Sequence, residues 1–112
     1  MHNNFPWIDA AEGIRRRTFP PGAGLMSMLI ELKAGSAGPE HAHPHEQLTF
    51  VVSGSVALTV AGKTYTLSAL EQLYVPGGQP HCVEALEDSL LLEAFTPIRE
   101  DLLVVPREEG HA

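Results

Sequence analysis

Cysteine is almost missing from this sequence. Cys82 is the only one, so the chain cannot close an intramolecular disulfide, and a lone thiol fits a reducing compartment. Basic residues are scarce too. Seven lysines and arginines stand against 14 aspartates and glutamates, a formal net charge of −7. Surfaces that bind nucleic acid or anionic membrane normally carry a basic face, and the short run Arg15-Arg16-Arg17 cannot supply one. The opening residues "MHNNFPWIDA" hold no apolar stretch of signal-peptide length. No run nears the roughly 20 apolar residues of a membrane-spanning helix. Nucleic acid and membrane are thus excluded as partners, and a cytoplasmic protein is expected.

What is present is apolar residues, at 44% of the chain, and frequent breaks: 9 prolines and 10 glycines in 112 residues. The first can fill a core; the second suit short strands and tight turns better than helices. Met26–Leu32 is rich enough in large apolar residues to be a strand, and Leu48–Val52 is another, stopping at Ser53-Gly54. Val56, Leu58 and Val60 alternate with Ala57 and Thr59, the two-residue period of a half-buried strand. Ala61-Gly62-Lys63 turns the chain into Thr64–Ser68, a hairpin. Leu73–Val75 and Leu90–Thr96 follow. The only helical candidate is a turn or two after Pro97, in "IREDLL". Short strands at such spacing predict an all-β sandwich or barrel. A chain of this length fits one domain, with its core at about residues 22–98 and terminal segments at 1–12 and 104–112.

Three of the six histidines fall within five residues, in "GPEHAHPHEQLTFVVSG". Residues i and i+2 of a strand point to one side, so His41 and His43 can converge on one centre. Gln47 could not join them along a straight strand, since six residues span roughly 20 Å. Pro44 breaks the ladder there, and Gln47 can open the next strand. His81, directly after the turn "VPGGQP", is the candidate for a further ligand. Histidines near loops are often only solvated, but this pair has a downstream amide and a partner after a Pro-Gly turn. His45 sits beside the bend and is expected behind the ligands or in solvent. Cys82 should face away from His81 as a packed thiol. His2 and His111 lie in the terminal segments and are assigned no role.

These residues resemble the two motifs of the cupin superfamily. Gly35, His41, His43 and Gly54 in "GSAGPEHAHPHEQLTFVVSG" match the first motif, with Gln47 where most cupins have Glu. "PGGQPH", Pro76 to His81, matches the second, with Leu70 replacing the usual Gly and Ala85 the usual Asn. The resemblance spans roughly Met26 to Phe95. It implies a small double-stranded β-helix (jelly-roll) barrel with a metal in its mouth, and the homodimer common among cupins. Three imidazoles and an amide leave a divalent ion's charge undiminished, where Glu would cancel half of it. Such a site favours a carboxylate or enolate substrate. Its nitrogen-rich donors fit one divalent transition metal (Ni, Zn, Fe, Mn or Cu) better than Ca or Mg.

A narrower resemblance covers roughly Gly13 to Leu103. "GIRRRTF", "HAHPHEQLTFVVSG", "HCVEALED" and "EAFTPIREDLL" are together similar to the small cupins of the KdgF type. These turn cyclic 4,5-unsaturated monouronates, released by pectin and alginate lyases, into the linear keto form. The resemblance implies metal ligands His41, His43, Gln47 and His81, and a substrate beside Phe95 and Arg99. It places at Glu93 the family's acid, an aspartate in the relatives. On a strand, Leu91, Glu93 and Phe95 share one face, so an inward Glu93 could act as acid or base while Arg99 clamps a carboxylate. The alternative has Glu93 in water and Arg99 paired with Glu100 or Asp101. Two other functions also fit these residues: a different metal cupin enzyme, such as a dioxygenase or sugar isomerase, or a non-catalytic cupin that binds a small molecule.

Overall fold

The computed structural model describes residues 5–103; His2 and His111 lie outside them. Among the described residues nine strands form: β1 (Ile8–Ala11), β2 (Ile14–Thr18), β3 (Met26–Leu32), β4 (Glu46–Ser53), β5 (Ser55–Val60), β6 (Lys63–Ser68), β7 (Gln72–Val75), β8 (His81–Ala85) and β9 (Ser89–Thr96). They make a six-stranded sheet in the order β1-β2-β3-β9-β4-β7 and a three-stranded sheet β6-β5-β8. All neighbouring strands pair antiparallel. The expected all-β barrel is what the chain forms. Residues 8–11, set aside above as a terminal segment, instead form the edge strand of the larger sheet. The helical candidate after Pro97 is a single 3₁₀ turn, Glu100–Leu103.

Alternation explains how the sheets close on each other. Val56, Leu58 and Val60 of β5 point inward and are buried with Leu32, Val51, Leu67, Val75, Ala85 and Leu91. The β5–β6 turn has only two residues, Ala61 and Gly62, at φ 50° and 81°. Two positive φ angles define the turn type whose twist matches the flanking strands.

Register in the larger sheet lines up three inward rows that matter for the site. The first is Gln47, Phe95, Met26; the second Thr49, Glu93, Met28, Thr18; the third Val51, Leu91, Ile30, Arg16. Every member of the first two rows is buried, whereas Ile30 and Arg16 are half-buried. Polar side chains therefore sit among methionines and phenylalanine at one end of an apolar core. On the outer face of the same sheet, Leu48, Val52 and Tyr74 are exposed.

Leu70, the residue that replaces a motif glycine, has φ 71° and is 75% exposed. Left-handed backbone strains a residue with a Cβ by roughly 1–2 kcal/mol, and packing offsets little of that at so exposed a position. Glycine relieves the strain but loses part of the gain to its own chain entropy. Leu70→Gly is thus expected to stabilise the fold by about 0.5–1 kcal/mol and raise the Tm by roughly 3–6 °C. A thermal melt of the two proteins checks this; a lower Tm would show that Leu70 makes contacts outweighing its strain.

Candidate metal centre

Backbone pairing brings the histidines together. His41 and His81 form an isolated antiparallel bridge, with N–H to carbonyl distances of 3.0 and 2.9 Å. The turn before His81 is clamped onto the histidine loop, because Gly78 N–H donates to the His43 carbonyl at 2.8 Å. Gly77 is needed for that approach: a Cβ there would collide with the Pro44 carbonyl oxygen. Pro44 lies in a bend, and Gln47 is the second residue of β4, so the loop delivers Gln47 to the same place.

One ring nitrogen of each of His41, His43 and His81 lies within 4.8 Å of the others'. Each Nδ1 also faces a backbone carbonyl two residues away: Pro39 at 3.1 Å, His45 at 3.1 Å and Gln79 at 2.9 Å. A carbonyl only accepts, so each Nδ1 carries the proton and each Nε2 presents a lone pair, the usual arrangement of a metal-bound histidine. Nε2 of His81 is buried with no hydrogen-bond partner among the described residues. Burial first, then the nearby His41 and Arg99 charges, hold His81 below the ordinary histidine range despite its bond to Gln79. Burial, then Arg99 and His81, do the same to His43. Both are neutral near pH 7, as ligands must be.

Gln47 completes the set with its amide direction fixed. Its Nε2 donates to Thr49 Oγ1 and Glu93 Oε2, each at 2.9 Å. Oε1 is left facing His43 Nε2 at 3.1 Å. With Nδ1 protonated, that contact sets one lone pair against another, and a shared cation is what reconciles them. Two ligands bonded at 2.0–2.2 Å and about 90° to one ion are about 3 Å apart. The four donors fit a divalent transition metal.

Glu93 is inside the barrel, 6% exposed. Its Oε2 accepts from both Gln47 Nε2 and Thr49 Oγ1, each at 2.9 Å. Burial pushes its carboxyl up to about 7, against the Thr49 hydrogen bond and the Arg99 charge, which pull it down. Arg99 follows β9, donates to Asp101 Oδ2 at 2.8 Å, and has a buried Nε without a partner among the described residues. Its guanidinium carbon lies 5.3 Å from the Phe95 ring centre. A cavity of about 230 Å³ is bordered by His41, Gln47, His81, Glu93 and Arg99, with Met28 and Leu58 among its apolar walls.

The expectation for Phe95 needs revision. Phe95 is only 1% exposed, its ring held between Arg99 and the edge of His43, 5.9 Å away. It has almost no face free for a ligand and acts as a wall behind both. Cys82 is half-buried and is not one of the clustered ligands. His45 contributes its carbonyl to His43, while its own ring stands edge-on 5.6 Å from that of His43. Thr49, absent from the expected site, joins Gln47 to Glu93; its parity with Gln47 on β4 is the sequence signal for that position.

The Gln47–Glu93 bond gives glutamine a role beyond charge. Gln47→Glu would set two carboxylates about 3 Å apart, where both cannot stay ionised. The variant is expected to keep its metal yet lose most turnover, with the remaining pH profile displaced from wild type. Metal analysis beside a pH–rate series checks this. An unchanged profile would mean that the amide donor to Glu93 is dispensable.

Residues 28–95 match the cupin domain family. The pectin degradation protein KdgF of Dickeya dadantii (strain 3937) is 29% identical over 100 residues, covering 88% of this chain and 91% of that protein. The structure of KdgF from a Halomonas species superposes with a TM-score of 0.82 at 31% identity, covering 87% of this chain and 90% of that one. A RmlC-like cupin from Shewanella frigidimarina NCIMB 400 gives 0.82 at 30% identity, with 88% of each chain covered. By fold, motif residues and these matches, the chain belongs to the cupin family, and within it is similar to KdgF.

Proposed function

We propose that the protein is a metal-dependent enzyme that opens 4,5-unsaturated monouronates, the products of pectin and alginate lyases, to the linear 4-deoxy-5-keto uronate. The observation that carries this reading is Glu93: a buried acid, tuned near neutrality, hydrogen-bonded to Gln47 and sharing one cavity with Arg99. Similarity to a protein named for pectin degradation supports the substrate class. The cavity's volume is below the ~300–1,000 Å³ of drug-sized sites and suits one sugar ring.

A metal held by His41, His43, Gln47 and His81 would supply Lewis acidity toward the sugar's oxygens. Arg99 holds the carboxylate, with Nε free of partners among the described residues. As the ring opens, the anomeric hydroxyl gives up its proton, C1 becomes a carbonyl and the C1–O5 bond breaks. The resulting C4=C5 enol takes a proton at C4 and leaves a ketone at C5, so no atom is gained or lost. Glu93 delivers the C4 proton, since an acid near pH 7 can both give and regain one. Phe95 fixes the positions of His43 and Arg99. The exposed apolar residues on the outer face of the six-stranded sheet support a homodimer through that face.

Metal-loaded protein mixed with fresh lyase-generated unsaturated monouronate should speed the loss of alkene absorbance, and a chelator should stop it. Oxygen uptake would point to a dioxygenase instead, and saturable binding without turnover to a binding protein.

A further inference from the structure

The Arg15–Arg17 run divides between two faces of β2. Arg15 and Arg17 point outward onto Trp7, their guanidinium carbons 4.7 and 5.9 Å from its ring. Arg15 also pairs with Glu31 at 2.7 Å, and Arg17 donates to the Phe5 carbonyl. Arg16 alternates to the inside and borders the cavity that holds Glu93, Arg99 and the metal donors.

A purely structural role explains Arg16 poorly. Among the described residues its one hydrogen bond is long, 3.3 Å, to the Leu102 carbonyl. Thr18 Oγ1, buried beside it, already donates to that oxygen at 3.2 Å. No carboxylate among the described residues pairs with Arg16, whereas Arg99 is partly neutralised by Asp101. Placing an uncompensated guanidinium at an apolar-walled cavity is unfavourable unless an anion completes it. Arg16 and Thr18 reach the same carbonyl, so the guanidinium leans toward the row that holds Glu93.

We propose that Arg16 is a specificity-determining residue: from the β2 side of the cavity its guanidinium binds the carboxylate of a sugar acid jointly with Arg99. The nature of the ligand rests on the ring-opening reading. The guanidinium's own demand for an anion does not.

Two ligands separate charge recognition from general binding: D-galacturonate, a saturated acid that cannot react, and neutral D-galactose. In titration calorimetry on metal-loaded protein, Arg16→Gln should weaken galacturonate about 10- to 100-fold, leave galactose unchanged, and raise KM for the unsaturated uronate with kcat within about threefold. Arg16→Lys should recover part of the loss, because an ammonium lacks the fork. Thr18→Val should lower the Tm and leave the acid-to-neutral ratio alone. An unchanged ratio in Arg16→Gln, the same change in Thr18→Val, or no galacturonate binding by wild type would overturn the proposal. Turnover with an unchanged ratio sinks Arg16 alone; a lost ratio without any turnover sinks the ring-opening reading alone.

Discussion

Glu93→Gln is expected to keep the fold, the metal and the bound uronate while turnover falls about 10²–10⁴-fold, the usual worth of general acid–base catalysis. Retention of the fold follows from the hydrogen bonds. Both described bonds to Glu93 end on Oε2, and a glutamine oxygen can accept them equally. Glu93→Asp should keep more activity than Glu93→Gln, since it remains an acid although its carboxyl retreats from Gln47 and Thr49. The variant also has a signature in stability. The folded protein raises this carboxyl from the ordinary 4.5 to about 7, so the fold favours the protonated form. In chelator-treated protein, the contribution of Glu93 to stability should therefore be full below about pH 4.5, decline as pH rises toward 7, and be gone above it. Glu93→Gln should remove that decline. Melts across this range check it, and an unchanged slope in the variant would mean that another group causes it.

His81→Ala should weaken metal binding by more than about 100-fold, since even outer partners of metal ligands are worth 10–100-fold. His81 is buried and its removal leaves a gap, so a misfolded variant could give the same loss. His41→Ala resolves that. His41 is exposed, and its share of the bridge to His81 is made by backbone groups that alanine keeps. Both variants should lose metal, while His41→Ala melts like chelator-treated wild type. Metal analysis after dialysis, beside the melts, is the measurement. Full metal content in His41→Ala would remove it from the ligand set.

Much of the site was legible because its signals are local. His41 and His43 are two residues apart, Pro44 marks the bend, and parity puts Leu91, Glu93 and Phe95 on one face; that this face is the inner one is settled by the fold. The strands that escaped are those whose pattern is not apolar. Ile14–Thr18 reads as a charged run because Arg15 and Arg17 stack on Trp7, a contact no local pattern reveals. His81–Ala85 lacks a long apolar stretch and is held by pairing with Val56–Val60. Thr49 and Arg16 are visible only across strands, as members of rows set by register. Phe95 loses its exposed surface to Met26, Met28 and Leu102, with Arg99 5.3 Å from its ring centre, contacts between separate elements that no local pattern reveals.

The most direct test of the whole account is proton nuclear magnetic resonance of the reaction in D₂O. Metal-loaded wild-type protein should accelerate formation of the 5-keto uronate and place a single deuteron at C4 on one face only, because Glu93 delivers it from a fixed side. Glu93→Gln should give the slow uncatalysed product, with deuterium on both faces. Wild-type protein that leaves the rate at that of buffer, or that speeds ring opening yet labels both faces equally, would contradict the claim that this site carries out the ketonisation.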